Sequence, residues 1–466
     1  MTAHCSAKWG MVALAAVVVV SGCDPSSYPT DLRYPARTDP IPKEVFPEQL
    51  AYPDRPGQFP LMSVAQLPMT FTEYAYPHPA FNLTTDKFID PLGIDAGARG
   101  RLQATLEQLF GTPAAPQVAA LDEDVLSEMA NYYFLGDPEG AANAEKYGEY
   151  LQELKLDRDT LARGSVLYRL HCLQCHGLPG DGRGATSRWV NPHPRDYRVG
   201  AFKFISTAKP MDAAPWLNTY VSKPRRDDLY RVIDKGIEGT SMPAFNLVTP
   251  QEIDDMVSYV IHLSLRGQVE LAVLRDLDRK EIEPGEVAAR ARGYLALFVV
   301  RDWAQAQTPP FLVRPKHPKP EYPAPLPPNA DDAQKAAYDQ QLQAYVESVR
   351  QGQVLFNLQD PKDPEGGCFA CHSNYGKQSS YRFDAWGTLV RPANLTKDVY
   401  RGGRRPIDLY WRIYAGILPG GMPGFPNLAA GERDQIWDIV NFLEAMPYPD
   451  RLKECGVAIT SDPGAS

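Results

Sequence analysis

The chain lacks an excess of positive charge, and its N-terminal apolar run is short. Its 48 basic and 57 acidic residues give a formal net charge of −9, which argues against a nucleic-acid-binding surface. The apolar run, Met11–Val20, has half of the ~20 residues that a membrane-spanning helix needs. Histidine and cysteine are scarce, with 8 and 7 residues among 466, whereas proline is frequent at 44. This length and composition predict two or three domains joined by turns and extended segments.

The N-terminus has the composition of an export signal. Lys8 precedes the apolar run, and the small residues Ser21 and Gly22 follow it before Cys23; this order is typical of a secretory signal peptide. Val20–Cys23 is also similar to the bacterial lipoprotein signal, which implies cleavage before Cys23 and a lipid on its sulfur. The alternative is an ordinary signal peptide that contains a cysteine. Either interpretation predicts export, and the lipoprotein signal implies a lipid anchor at the periplasmic face of the cell membrane.

Four cysteines form two Cys-x-x-Cys-His motifs, at 172–176 and 368–372. This spacing is the attachment pattern of c-type haem, in which two thiols one helical turn apart form thioethers and the histidine binds the iron. The alternatives are a zinc ion shared by four thiolates and a redox dithiol. Zinc-binding pairs are usually ~15–20 residues apart, whereas these pairs are separated by 196 residues, and neither lies in a βαβ context. We therefore predict two covalently attached haem c groups.

Each motif is followed by a candidate sixth iron ligand. Met242 and Met422 each precede a proline in a glycine-rich loop, which a methionine serving only as core filler would not require. The segments 228–245 and 408–425 align without gaps and share nine identities in eighteen positions, so the chain contains a duplicated module. His171 and His193 are alternative ligands near the first motif, and a surface position is the simpler interpretation of both.

The sequence around these motifs resembles the class I cytochrome c family over 161–263 and 349–446. Gly164 and Gly352 lie upstream, where a second helix would approach closely, and an apolar helical face follows each methionine loop. The resemblance implies a mainly α fold in which the first helix ends at the haem motif and crosses the last helix. It implies thioether anchors at Cys172, Cys175, Cys368 and Cys371, and axial pairs His176/Met242 and His372/Met422.

Local signals predict several details of the haem domains. Thr249, Pro250 and Glu252 form a capping-box signature at the start of the last helix of the first copy. The loops at 194–197 and 392–395 should be equivalent pocket walls, and Arg195 in the first either pairs with a haem propionate or is a solvated surface side chain. The segment 358–367 should be an inserted loop, because it contains two prolines and a glycine pair.

Outside the repeats, proline-rich segments and helix formers alternate. The predicted units are a lipoprotein signal peptide (1–22), a Pro-rich N-terminal collar (23–140), cytochrome c domain 1 (141–265), a helical segment and Pro-rich linker (266–328), cytochrome c domain 2 (329–450) and a tail (451–466). We predict a helix over 97–110 in the collar and a second one from Ala330 to about Phe356, capped by Asn329. The tail should be extended, with Cys455 a surface thiol or, alternatively, part of an intermolecular disulfide.

These assignments predict an electron carrier. Histidine and methionine occupy both axial positions of the iron, so no position remains for a substrate, and we do not expect an enzyme. The sequence resembles dihaem cytochrome subunits that accompany quinol-oxidising complexes and terminal oxidases, which implies such redox proteins as partners. Two alternatives remain: a dihaem cytochrome c peroxidase, which needs an open iron position, and a haem-bearing scaffold subunit of a respiratory complex.

Overall fold

The computed structural model describes residues 32–42, 88–133, 138–190, 192–210, 222–358, 367–379, 382–383 and 389–458. Over these residues the protein is mainly helical, which confirms the predicted fold class. The helices are α1 Ala96–Phe110, α2 Glu123–Tyr133, α3 Pro138–Glu145, α4 Tyr147–Glu153, α5 Arg158–His171, α6 Leu173–His176, α7 Arg226–Lys235, α8 Pro250–Arg279, α9 Val287–Leu297, α10 Gln305–Gln307, α11 Asp332–Asn357, α12 Cys368–Cys371, α13 Pro406–Ala415, α14 Gln435–Ala445 and α15 Pro449–Glu454.

The strands are short. β1 (Ile41–Pro42) pairs antiparallel with β2 (Phe88–Ile89), and β3 (Arg382–Phe383) pairs antiparallel with β4 (Leu389–Val390). A π-helical turn, Phe298–Ala304, joins α9 to α10. Within the described residues, no helix is both long and apolar enough to cross a membrane. Cys23 and most of the inserted segment 358–367 lie outside the described residues.

The two copies of the module have the same helix order. We call α5 to α8 the first repeat and α11 to α14 the second repeat. In each, the first helix crosses the last at the glycine that the sequence singles out. A β-carbon on Gly164 would overlap the backbone carbonyl of Asp255, and one on Gly352 would overlap that of Asp438. Only glycine allows these backbones to approach so closely.

The third helix of each repeat starts in the same way. The Asp228 carboxylate accepts a hydrogen bond from the Arg225 backbone N–H at 3.0 Å, and the Asp408 carboxylate accepts one from that of Arg405 at 3.2 Å. Both aspartates are buried, and each of these bonds gives a carboxylate partner to a backbone N–H at the start of its helix. The predicted capping box of α8 is also present, because the Glu252 carboxylate accepts the Thr249 backbone N–H at 2.7 Å.

Helix α8 supports both the first repeat and the N-terminal region. Its residues 255–271 are buried on every face, since α5 and α7 pack on one part of it while α1, α9 and the extended segment 32–42 pack on the rest. The Tyr34 and Tyr259 hydroxyls lie 2.7 Å apart, and the Arg37 backbone N–H donates to the Glu270 carboxylate at 3.0 Å. The described part of the N-terminal region therefore packs on the first repeat. It includes a helix at 96–110, as predicted.

Three local predictions after the linker are wrong. The N-cap of α11 is Asp331 and not Asn329, because the Asp331 carboxylate accepts the Gln334 backbone N–H at 2.7 Å. The predicted extended conformation after Met446 is wrong for 449–454, which form α15; residues 459–466 lie outside the described residues. Cys455 is fully buried and forms no disulfide, because α15 closes the core of the second repeat and carries this thiol inward.

Candidate haem sites

Each Cys-x-x-Cys-His motif forms a single helical turn. The first motif directly follows α5, and the second follows the inserted segment after α11. The His176 backbone N–H donates to the Cys172 carbonyl at 2.9 Å, and that of His372 donates to the Cys368 carbonyl at 2.8 Å. This turn brings the two thiols of a motif to neighbouring positions on one side. All four cysteines are free of disulfides, so the four thiols are available for thioether bonds.

The two histidines are oriented by equivalent backbone carbonyls. Nδ1 of His176 lies 3.1 Å from the Arg195 carbonyl oxygen, and Nδ1 of His372 lies 3.2 Å from the Ala393 carbonyl oxygen. A carbonyl can only accept, so Nδ1 carries the proton and Nε2 carries the lone pair. Metal-binding histidines are held in this tautomer by the same kind of bond. The predicted equivalence of the two wall loops is therefore present, and these residues fit a haem iron.

Burial keeps the His176 imidazole and the thiols of Cys172 and Cys368 uncharged. It lowers the pKa of His176 to about 4, so the ring is a neutral imidazole at ordinary pH, as an iron ligand must be. Burial also raises the pKa of Cys172 to about 12 and that of Cys368 to about 11. The Tyr197 ring stacks on His176 with centroids 4.7 Å apart, and this contact shields one face of the imidazole from water.

The methionine loops have matching hydrogen bonds. The Met242 carbonyl accepts the Ile237 backbone N–H at 3.2 Å, and the Met422 carbonyl accepts that of Ile417 at 2.8 Å. Each loop is entered through a glycine with positive φ, 66° at Gly236 and 76° at Gly416, where a side chain would be strained. Met242 packs against the buried cluster that contains Cys172 and Tyr197, and Met422 packs against the buried cluster of the second repeat, as does Cys368.

The structure separates the two cysteine pairs into different repeats. In the part of the chain that is described, no three His, Cys, Asp or Glu side chains lie close enough together to hold a metal ion, so a shared zinc site has no support. The rings of His171 and Phe245 are in edge contact at 5.9 Å, and Nδ1 of His193 lies 3.1 Å from the Pro194 carbonyl. Arg195 contributes its carbonyl oxygen to the site, which the sequence could not indicate.

Sequence reasoning missed a buried ion cluster behind the wall loop. The Arg198 guanidinium donates two hydrogen bonds to the Asp39 carboxylate, at 2.9 and 3.0 Å, and two to the Asp196 carboxylate, at 2.8 and 3.0 Å. Arg37 also donates to Asp39, at 3.0 Å. Since Tyr197 lies between Asp196 and Arg198, the cluster fastens the N-terminal segment to the residue that stacks on His176. Asp39 and Arg198 are 159 residues apart along the chain, so no local pattern marks their pairing.

The Asp39→Asn variant is expected to lose about 3–5 kcal/mol of stability, because it removes the carboxylate that pairs with buried Arg37 and one of the two carboxylates that pair with buried Arg198. Burial raises the pKa of Asp39, but Arg37 and Arg198 lower it more, so the net pKa is depressed. The stability that Asp39 contributes is therefore complete above the unfolded-state pKa, ~3.9, and is lost as the pH falls below it. Denaturant unfolding between pH 2.5 and 7 measures both effects.

The control for this prediction is Asp332→Asn, which removes a fully exposed carboxylate of α11 and should leave stability within ~0.5 kcal/mol. Equal losses in the two variants would contradict the role of the buried cluster.

Residues 159–260 match the sequence model of a family described as cytochrome c oxidase, cbb3-type, subunit III. The match includes the first haem motif and Met242. No curated protein matches the chain. Among solved structures, a chain of the reducing HAO-like protein complex of Kuenenia stuttgartiensis is similar, with a TM-score of 0.38 and 20% identity over 61% of this chain and 95% of that one.

The family match and the helical fold define a cytochrome c domain at 159–260. The chain therefore contains a c-type cytochrome domain, a kind of domain that binds haem c covalently, and this supports a role in haem-based electron transfer.

Proposed function

We propose that the chain is an exported dihaem cytochrome that carries single electrons between redox proteins at the outer face of the cell membrane. The observation that supports two haems is the duplication of the whole site, from the motif turn to the histidine–carbonyl bond and the methionine loop. The matching hydrogen bonds in the two repeats support the same ligand in both places. Haem c supplies a one-electron Fe(III)/Fe(II) couple when it is bound.

The residues of each repeat would hold the cofactor in complementary ways. Cys172 and Cys175, and likewise Cys368 and Cys371, would form the thioether bonds. His176 and His372 would bind the iron through Nε2, because their Nδ1 atoms are engaged by carbonyls. Met242 and Met422 would complete the axial pairs and raise the reduction potential.

The methionine loops favour a carrier over a peroxidase. A peroxidase requires one iron with an open or displaceable ligand position, whereas both repeats present a methionine loop closed by the same backbone bonds. A scaffold subunit whose haems are incidental is the remaining alternative. Loss of electron transfer without loss of complex assembly, after the methionines are replaced, would separate the carrier from the scaffold.

The proposed lipid anchor and the negative net charge of the chain suggest which redox partners it has. Removal of residues 1–22 takes away Lys8 and leaves 47 − 57 = −10 charges, which favours docking on basic surfaces. A lipid on Cys23 would hold the haems beside membrane complexes and raise their effective concentration there. We propose a quinol-oxidising complex, a terminal oxidase, or both, as electron donor and acceptor.

Single replacement of Met242 or Met422 by alanine is expected to abolish one of two methionine–iron charge-transfer bands. It should also lower one reduction potential, within the ~0.8 V range that axial ligands control. Near-infrared spectra of the ferric protein and a redox titration measure these changes. The control is Met256→Leu in α8, a fully buried methionine outside the loops, which should keep both bands. A stable high-spin haem in the resting wild-type protein would instead support the peroxidase.

The Cys23→Ala variant is expected to leave the membrane fraction. Acyl chains contribute ~0.8 kcal/mol of membrane affinity per buried CH₂, and this variant has no sulfur to receive them. Fractionation of cells and mass spectrometry of the mature N-terminal peptide measure the outcome. An unmodified Cys23 in the wild-type protein, or a mature chain that begins elsewhere, would rule out the lipid anchor.

A further inference from the structure

The two repeats contact each other through equivalent positions. In the ungapped alignment of 228–245 with 408–425, Arg231 corresponds to Trp411. The Arg231 guanidinium lies over the Trp411 ring, 4.9 Å from its centroid. A residue that touches its own counterpart in a second copy of the same module lies close to a twofold axis.

A second pair of counterparts meets in the wall loops. Arg195 and Ala393 are counterparts, because the carbonyl of each contacts the histidine of its own repeat. The same separation along the chain relates Phe204 to Gly402, so these two residues are counterparts as well. The Phe204 ring packs so closely on Gly402 that a β-carbon there would overlap it. This contact and the Arg231–Trp411 contact therefore define the same local symmetry.

The methionine loops make reciprocal contacts across this axis. A β-carbon on Gly239, in the Met242 loop, would lie 3.4 Å from Val399 Cβ and 3.9 Å from Arg401 Cγ. A β-carbon on Gly420, in the Met422 loop, would lie 3.6 Å from Lys203 Cε. The separation along the chain that relates Arg195 to Ala393 also relates Lys203 to Arg401, so these two basic residues are counterparts. Each methionine loop thus touches the same basic position of the opposite repeat.

The linker fixes this arrangement. The Val313 backbone N–H donates to the Ser206 carbonyl of the first repeat at 2.9 Å, while the Val313 carbonyl accepts the Trp411 Nε1–H of the second repeat at 3.0 Å. Phe311 also accepts the Ala208 backbone N–H, at 2.9 Å. Both repeats are therefore bonded to one short segment, which restricts their relative rotation.

We infer that the two repeats form one intramolecular electron relay, packed about a local pseudo-twofold axis with each methionine loop against the opposite repeat. The inference rests on the proposed function, because it requires a cofactor in both repeats. With haem c held by Cys172, Cys175 and His176 in one repeat and by Cys368, Cys371 and His372 in the other, one electron would pass from the reduced group to the oxidised one, with no bond formed or broken. Arg231, Trp411 and Val313 are positioning residues for this step.

The experiment uses the full-length holoprotein with Met422→His, which gives the second haem a distinct spectrum and a lower potential. Electrons are injected by a light flash at substoichiometric dose, and their redistribution to the haem of the first repeat is followed by absorbance. We expect a rate that does not change over a tenfold range of protein concentration. A rate proportional to concentration would overturn the relay, because it would show transfer between molecules.

Replacement of Trp411 by alanine in this background should slow the redistribution at least tenfold, because it removes both the Arg231 contact and the bond to Val313. The matched control is Trp189→Ala, since Trp189 also lies under an arginine, Arg188, at 5.2 Å, but is 73% exposed. This control should change the rate less than twofold. Equal rates in the two variants would contradict the positioning role of Trp411.

Haem content and the methionine–iron band of each protein are measured first. If the second repeat holds no haem, the proposed function fails. If both haems are present and the Met242 band is intact, but redistribution depends on concentration, the relay alone fails.

Discussion

Replacing Cys368 and Cys371 together by alanine is expected to reduce covalently bound haem from two groups per chain to one. Thioether bonds keep haem c in place after export, and the second repeat has no other thiols positioned beside His372. The first repeat has a separate buried core, so its own haem should be retained. Haem absorbance per mole of protein and the intact mass of the purified chain measure the stoichiometry.

The matched control is Cys455→Ala, which removes a fully buried thiol of the same repeat. It should leave both haems bound and cost stability only through the small cavity that it creates. One haem in the wild-type protein, or two in the Cys368/Cys371 variant, would contradict the dihaem assignment.

Replacing Gly352 by valine is expected to destabilise the second repeat by about 3 kcal/mol or more. The β-carbon would overlap the carbonyl of Asp438, and it would also come within 2.8 Å of Phe442 Cβ. Backbone atoms of a helix cannot rotate out of the way, so α11 and α14 would have to separate. Gly164→Val should act in the same way on α5 and α8. Denaturant unfolding of the holoprotein, followed by circular dichroism and haem absorbance, measures the loss.

Gly148→Ala in α4 is the control for this effect, because nothing lies within 4 Å of the added carbon. Alanine should stabilise this helix by up to ~1 kcal/mol. If valine at Gly352 were tolerated as well as alanine at Gly148, the helix crossing would not depend on glycine.

The features that the sequence predicted correctly depend on short spacings. The single turn that carries two cysteines and a histidine, the capping box from Thr249 to Glu252, and the helix at 96–110 need only neighbouring residues. The crossing glycines were found because duplication places them in matching segments, Gly-Ser-Val-Leu-Tyr at 164–168 and Gly-Gln-Val-Leu-Phe at 352–356.

The wrong predictions concern segments whose structure depends on distant contacts. Proline and polar residues after Met446 favour an extended tail, but packing against the second repeat stabilises α15 and buries Cys455. Asn329 and Asp331 are both good N-caps, and composition alone does not choose between them.

The sequence by itself determined the chemistry of the chain: the haem-attachment spacing, the candidate iron ligands and the existence of two copies of one module. These features can be read from the order of residues, since the two thiols and the imidazole of a haem c motif are neighbours along the chain and each methionine loop is recognised by its repeat. Only the tertiary structure decided that backbone carbonyls orient both histidines, that a buried ion cluster holds the N-terminal segment against the first repeat, and that the repeats meet through equivalent residues. Those contacts join residues far apart in the chain, and they form because buried donors, acceptors and charges must find partners when the helices pack.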